Sequence, residues 1–366
     1  MSRPANPLLH LAREPLRYAL SMATYLGRGG RRDRRRPAAV HFDLSRNPFQ
    51  RYLFLLAEFF TLAGFDVVFR HRTRFLAQLG RYSNLILTSP HMRLGLRAPS
   101  GAELRFTDRP QEGWTTLSAD YFQPPHPSSF HVPMAMHPNM YRLGHFRRCE
   151  GLSANRERRT RVLFAGNADR ALYSNGTAAR VFGKLGRLEI LEALEASFPQ
   201  QIARGPAGDR GSPEREAAIV LCEASSCYIP QATFLDALSG CSFFIAAPGV
   251  AVPMCHNAVE AMSVGAVPVL NYAEHFHPPL QHGLNCLTFS GYEELTQSVR
   301  DALAMDGERV GALRLGALAY YHRHLRPAAV VDSVLERRST LETLFLNAEQ
   351  QSVLLLERKV AGGVPK

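Results

Sequence analysis

The sequence predicts an α/β chain of two parallel-sheet domains facing one another across a cleft, with a long helix near the carboxyl end. Three observations carry this. Short apolar runs alternate with helical stretches over residues 38–88 and again over 161–304, the pattern that a parallel sheet with helical crossovers imposes. At 366 residues the chain is long for one hydrophobic core and suits two. Apolar residues at 46% and charged residues at 20% give each half enough to bury. The expected division is a basic arm over 1–36, a first domain over 37–150, a second over 151–330 and a helical segment over 331–366.

The arm holds nine Arg against Glu14 and Asp33, so it carries +7 of the chain's net +11. Residues 8–26 are apolar with scattered Arg, Pro15 interrupts them, and the polybasic RGGRRDRRR follows. That combination suits an interfacial helix on anionic lipid or a helix packed on the first domain. Because the charge is gathered in the arm, without zinc-finger spacing or an aromatic RNA-binding signature, nucleic acid is not an expected partner. No apolar, charge-free run of 18 residues is present. The expected place is the cytoplasm, free or peripheral on the inner face of the membrane.

The first domain opens with a strand over 38–42. Asn47 is the expected N-cap of the next helix, with Pro48 at its first position, where a missing N–H costs nothing. Tyr52, Leu55, Leu56, Phe59, Phe60 and Ala63 line one helical face, and Gly64 suits the C-cap. Strands are expected at 65–69 and 84–88. Residues 90–145, rich in Pro and His and holding Trp114, read as irregular structure. The second series runs strand 161–166, helix 176–198, strand 217–222, helix 230–238, strand 242–246, a helix closed by Gly265, strand 266–270 and helix 293–304. Two such series are Rossmann-like domains, which place ligands beyond the carboxyl ends of their strands.

Near the end, Ser339 and Glu342 match a capping box. The helix expected after them aligns Leu341, Leu344, Phe345, Ala348, Ser352 and Leu355 on one face and ends at Gly362. That stripe would seat on the first domain or on a second copy in a homodimer. The six cysteines form no CxxC pair, and the expectation is reduced, buried thiols. The Arg cluster at 156–161 reads as solvated.

Residues 242–270, SFFIAAPGVAVPMCHNAVEAMSVGAVPVL, carry the most chemistry. A buried strand ends at Ala247-Pro248-Gly249, and a small-residue loop leads to Pro253, which can open a helix. Such a helix start offers unpaired amides and a positive dipole end to a phosphate. From Pro253, Glu260 lies about 10 Å along at 1.5 Å per residue. There its carboxylate could accept from both hydroxyls of a ribose. No GxGxxG follows either leading strand, which disfavours a dinucleotide dehydrogenase.

The order P-G-x6-H-N-x2-E-A-M-x2-G-x-x-P-V resembles the donor-binding signature of GT-B-fold glycosyltransferases, in particular the exostosin-like and related single-chain families. The resemblance covers residues 160–305. It implies that Glu260 holds the donor ribose and that the loop through Pro248 and Gly249 faces the diphosphate or sugar. It also implies that Gly166 and Asn167 form the first glycine-bearing loop, with Arg170 as a phosphate counter-charge, and that Tyr228 and Pro230 meet the base. The chain departs from the pattern twice. Asn257 stands where exostosin-like sequences carry Arg, with His256 beside it, and Val252 stands where retaining enzymes carry a second Glu. The second departure favours inversion, in which one base deprotonates the acceptor.

That base is expected at the carboxyl ends of the first domain's strands, at Asp43, then His91, then His41. His137 could also reach the cleft. No Asp-x-Asp pair suits a nucleotide-bound metal, and the resemblance implies no metal and no cofactor, the nucleotide sugar being a substrate. The function implied is transfer of a sugar from a nucleotide donor to a glycan or glycolipid acceptor, in polysaccharide or glycolipid biosynthesis. Alternatives are a nucleotide-sugar epimerase of the same fold and a non-catalytic glycan- or nucleotide-binding pseudo-enzyme.

Overall fold

The computed structural model describes residues 18–20, 22–27, 38–155, 157–174, 176–205 and 218–361. Pro15, the polybasic run of the arm, Arg156, Ala217 and Gly362 lie outside them. The chain divides into two compact units, Met1–Val132 with Pro327–Lys366, and Pro133–Arg326. Residues 133–150, expected in the first domain, thus belong to the second unit. Each unit is α/β and built on one parallel sheet.

The first sheet contains β1 (Ala39–Asp43), β2 (Asp66–Arg70), β3 (Met92–Gly95), β4 (Leu104–Thr107), β5 (Thr115–Ser118), β6 (Ser129–His131) and β13 (Thr343–Phe345). Their order is β3-β2-β1-β4-β5-β13-β6. Register aligns Phe42 with Phe69 on one side and Phe106 on the other. The three rings stack at 5.0 Å between centroids, so cross-strand aromatic packing fixes the middle of the sheet. The helix Gln50–Leu62 buries nine of its 13 residues rather than a single stripe. Where residues 22–27 are helical, the Tyr25 hydroxyl accepts from the Leu94 amide of edge strand β3 (3.0 Å).

Several expected elements differ. Asn47 does not cap the helix, which starts at Gln50. The amides of Ser45, Arg46 and Asn47 all donate to the Asp108 carboxylate, which therefore sets the loop's path. Residues 84–88 belong to the helix Arg81–Thr88, not a strand. Tyr82, Ile86 and Leu87 bury at helical spacing there, and a short apolar run alone does not separate the two periods. The 90–145 stretch supplies four strands, each of only three or four residues, too short to show periodicity. The capping box at Ser339 is not used. Leu344 is fully buried in β13, whose partners β5 and β6 come from far back in the chain, and the helix follows at Gln350–Ala361.

In this first unit Phe49, Gln50 and Glu349 adopt left-handed conformations at φ 48°, 41° and 49°. Each such non-glycine residue costs about 1–3 kcal/mol, which the surrounding packing must hold.

The second sheet contains β7 (Thr160–Gly166), β8 (Ile202–Arg204), β9 (Ile219–Glu223), β10 (Cys241–Ile245), β11 (Val267–Leu270) and β12 (Leu287–Thr288), in the order β12-β11-β10-β7-β9-β8. Its helices include Thr177–Phe182 and Arg187–Ser197, two where one was expected. Gly183 in the left-handed region (φ 61°) ends the first. The Arg cluster is not simply solvated. Arg158 donates to the Val264 and Cys241 carbonyls (2.6 and 2.5 Å), and Arg161 to the Ala302 and Met305 carbonyls. Both thereby satisfy acceptors at helix C-termini. Cys222 and Cys227 form a disulfide at the end of β9, contrary to the expectation of six free thiols. Their Cα atoms, five residues apart, turn back to 5.3 Å.

Candidate active site

The chain order through the second sheet reverses beside its central strand. From β7 it passes to β8 and β9 on one side, then to β10 on the other. Loops leaving the carboxyl ends of β7 and β10 therefore diverge, opening a crevice between them. Gly166 and Asn167 follow β7, and residues 246–249 follow β10. Gly249 is required there, because a Cβ would stand 2.7 Å from the Val252 carbonyl oxygen. Its amide donates to the Pro253 carbonyl (3.1 Å), closing a tight loop.

That loop delivers the chain to the helix His256–Ser263, with Cys255 at its N-cap. Pro253 does not open the helix as expected. Glu260 is therefore only one turn in, about 6 Å along the axis from His256 rather than two turns from the phosphate end. It is 1% exposed. Oε1 accepts from the His137 amide (2.9 Å) and Oε2 meets His256 Nδ1 (3.3 Å). His256, with 31% of its side chain exposed, is the outer member of this pair. His137 caps the short helix Pro138–Arg142, and Gln231 Nε2 lies 2.7 Å from its Nδ1. Asn257 Nδ2 donates to the Ala165 carbonyl (3.0 Å), while its buried Oδ1 has no partner among the described residues.

The residue that sequence reasoning missed is Arg187. It begins the helix Arg187–Ser197 and is 5% exposed. Its guanidinium donates to the carbonyls of Asn167 (2.7 Å), Ala247 (3.1 Å) and Pro248 (3.1 Å), to the Tyr173 hydroxyl (2.7 Å) and to Cys255 Sγ (3.5 Å). It lies 4.3 Å from the Tyr173 ring centroid. Among the described residues it has no carboxylate partner. A buried cation thus underlies both crevice loops and ties them together. A Cβ on Gly166 would meet Arg187 Nη1 at 3.5 Å and Asn257 Nδ2 at 3.6 Å. Arg187 thus brings a guanidinium beside Asn257, the position where the signature carries one. Burial raises the Cys255 thiol, but His256, Arg187 and the Asn257 amide outweigh it, and the thiol sits below its usual value. The only sequence signal for Arg187 is its place after Gly186, hidden inside a stretch that read as one helix.

Other candidate residues stand apart. Arg170 is 77% exposed and paired with Glu192. Tyr228 is 70% exposed, and Pro230 caps the helix Gln231–Ser239. In the first unit, Asp43 ends β1 in ion pairs with Arg70 (2.5 Å) and Arg72 (2.8 Å). Partial burial raises its pKa, but the two guanidinia outweigh this and hold it below the usual carboxylate range. His41 is 1% exposed inside the sheet, edge-on to Trp114 at 5.7 Å, with burial lowering its pKa. His91 precedes β3 and its carbonyl accepts from the Val67 amide, so it stands at the amino edge of the sheet, opposite Asp43. Its expected place at a strand's carboxyl end was wrong because 84–88 is helical. Among the described residues no cluster of three His, Cys, Asp or Glu is placed to hold a metal, and no helix is long and apolar enough to cross a membrane.

No protein-family model and no curated protein matches the chain. Among solved structures, it is similar to Anabaena HepE in complex with UDP, at 13% identity over 83% of this chain and 100% of that one, with a TM-score of 0.46. It is similar to a glycosyltransferase from Rickettsia africae at 8% identity, 84% and 98% coverage and a TM-score of 0.44. The spinosyn rhamnosyltransferase SpnG, complexed with thymidine diphosphate, aligns at 14% identity, 88% and 81% coverage and a TM-score of 0.31.

Proposed function

We propose that the second unit binds a nucleotide sugar and that the chain is a glycosyltransferase of the GT-B kind. The observation that carries this is Arg187, a buried guanidinium without a carboxylate partner among the described residues, set at the sheet's switch point under a glycine loop and a helix start. A diphosphate placed there meets positive potential from the guanidinium and from the start of His256–Ser263. His256 faces the ribose, and Glu260 holds its imidazole in place. The sugar passes to a glycan or glycolipid acceptor, without metal and with inversion, since Val252 leaves no second carboxylate on the donor side.

Asp43 alone among the three base candidates stands at a carboxyl edge. Its two Arg partners keep it ionised and make it a weak base. That pairing favours the second reading, binding without turnover, and activity measurements separate the two. Thermal stabilisation by a panel of nucleoside diphosphates and nucleotide sugars names the nucleotide by mass action. A midpoint shift confined to one nucleotide, reduced in Glu260→Gln and in His256→Ala, supports the donor site. No shift across the panel removes it. With a binding nucleotide sugar in hand, release of nucleoside diphosphate that depends on acceptor and falls at least tenfold in Asp43→Asn supports transfer. Conversion to another sugar without acceptor identifies an epimerase, and binding with no product identifies a pseudo-enzyme.

A further inference from the structure

The first unit contains a cavity of about 660 Å³ that the donor site does not use, within the roughly 300–1,000 Å³ typical of small-ligand sites. Two helix starts form it. Gln50–Leu62 brings Arg51 and Tyr52, and Arg81–Thr88 brings Arg81 and Tyr82, so the same Arg-Tyr pair occurs on two facing first turns. Each guanidinium lies over its neighbouring ring, at 4.9 Å for Tyr52 and 5.0 Å for Tyr82. Each also donates to that ring's hydroxyl, at 3.0 and 2.8 Å. Both charges are therefore held in one orientation before any ligand arrives.

Glu349 pairs with Arg51, and among the described residues Arg81 has no carboxylate partner and the buried Arg51 Nε has no acceptor. Gln50 and Gln78 also line the cavity. The described non-glycine residues with positive φ, namely Phe49, Gln50 and Glu349, all lie on its wall. Backbone held in unfavourable conformations around one cavity is a mark of a built site.

We propose that this cavity binds a sugar carrying an oxyanion, either a phosphate or a carboxylate. Arg51 and Arg81 take the oxyanion in charge-assisted hydrogen bonds, and Gln50 and Gln78 take neighbouring hydroxyls. Binding follows from the cavity alone. Naming this sugar as the glycosyl acceptor rests on the transferase reading above.

The test is isothermal titration of the full chain with glucose 1-phosphate, glucuronate, neutral glucose and inorganic phosphate, with a nucleoside diphosphate titrated into the same preparation. At least one charged sugar is expected to bind ten or more times tighter than glucose and inorganic phosphate. Arg81→Gln, at an exposed position, should lose at least tenfold of that affinity with the unfolding midpoint and nucleotide affinity unchanged. Equal binding of charged and neutral sugars, failure of both charged sugars to bind, or full retention of affinity in Arg81→Gln overturns the proposal. Inorganic phosphate binding as tightly as glucose 1-phosphate removes the sugar from it. Charged-sugar binding without any nucleotide binding keeps the cavity and removes the acceptor role.

Discussion

Replacing Arg187 by Met tests whether one buried cation holds the second unit's crevice together. The side chain is 5% exposed and spends its donors on three backbone carbonyls, a phenol and a thiol. Losing them leaves the Asn167, Ala247 and Pro248 carbonyls without that donor. A buried acceptor left unpaired costs about 1–3 kcal/mol. Relief from desolvating a guanidinium offsets part of the total, so a destabilisation of about 3 kcal/mol is expected. Urea unfolding followed by circular dichroism measures it. Arg187→Lys separates charge from pinning, because an ammonium has three donors against five acceptors but keeps the cation. Lys should recover nucleotide affinity to within tenfold of wild type while remaining less stable. A loss of less than about 1 kcal/mol in Arg187→Met would refute the pinning argument, since even one stranded carbonyl costs that much.

Three further outcomes are expected. In Gly249→Ala the new Cβ meets the Val252 carbonyl oxygen at 2.7 Å, so the loop must move. Nucleotide affinity should fall at least tenfold in a titration, with about 1–3 kcal/mol lost from stability. In Gly316→Ala the Cβ would stand 2.0 Å from the Leu284 carbonyl oxygen, within the helix Gly307–Tyr320. The same unfolding assay should show about 1–3 kcal/mol lost. Burial lowers the pKa of His41 and His131 below the ordinary 6.5, so the unfolded chain takes up protons that the folded first unit refuses. Stability should therefore be insensitive to these groups above pH 6.5 and fall below it. His41→Gln should flatten that fall, and an unchanged slope between pH 6.5 and 5 would show that His41 protonates freely in the fold.

What could be read from the sequence depended on how local its cause was. The strands at β1, β2, β7, β10 and β11 are apolar runs bounded by turn residues, and each was legible from its own neighbourhood. β13 was not, because Leu344 needs β5 and β6 beside it before its burial means anything. Asn47 is a good cap by type, but Asp108, 61 residues away, takes the loop's amides and moves the helix start to Gln50. The donor-side segment 242–270 read well because loop, helix and carboxylate are contiguous. Arg187 could not be seen, since its partners lie 14 to 68 residues away. Where the loop ended was not legible, and the helix starts at His256 instead of Pro253, which leaves Glu260 one turn in and not two.

Both sheets are parallel and reverse their order beside their leading strand, and comparing these switch points argues for where a diphosphate belongs. In the first sheet the order reverses between β1 and β4, and there the loop amides of 45–47 converge on the Asp108 carboxylate, 8% exposed. An anion-binding loop is thus already filled by the chain's own anion, and a phosphate would meet negative charge. In the second sheet the order reverses between β7 and β10, and a guanidinium takes the carboxylate's place beneath the loops. The sign of the buried charge therefore differs at equivalent points of two similar sheets. A nucleoside diphosphate follows the positive one. Asp108→Asn supplies the decisive comparison. It should loosen the 45–47 loop and cost about 1–3 kcal/mol in unfolding, yet leave nucleotide affinity unchanged. A nucleotide affinity that rises in this variant would place the anion site in the first unit and reverse the assignment of the two sheets.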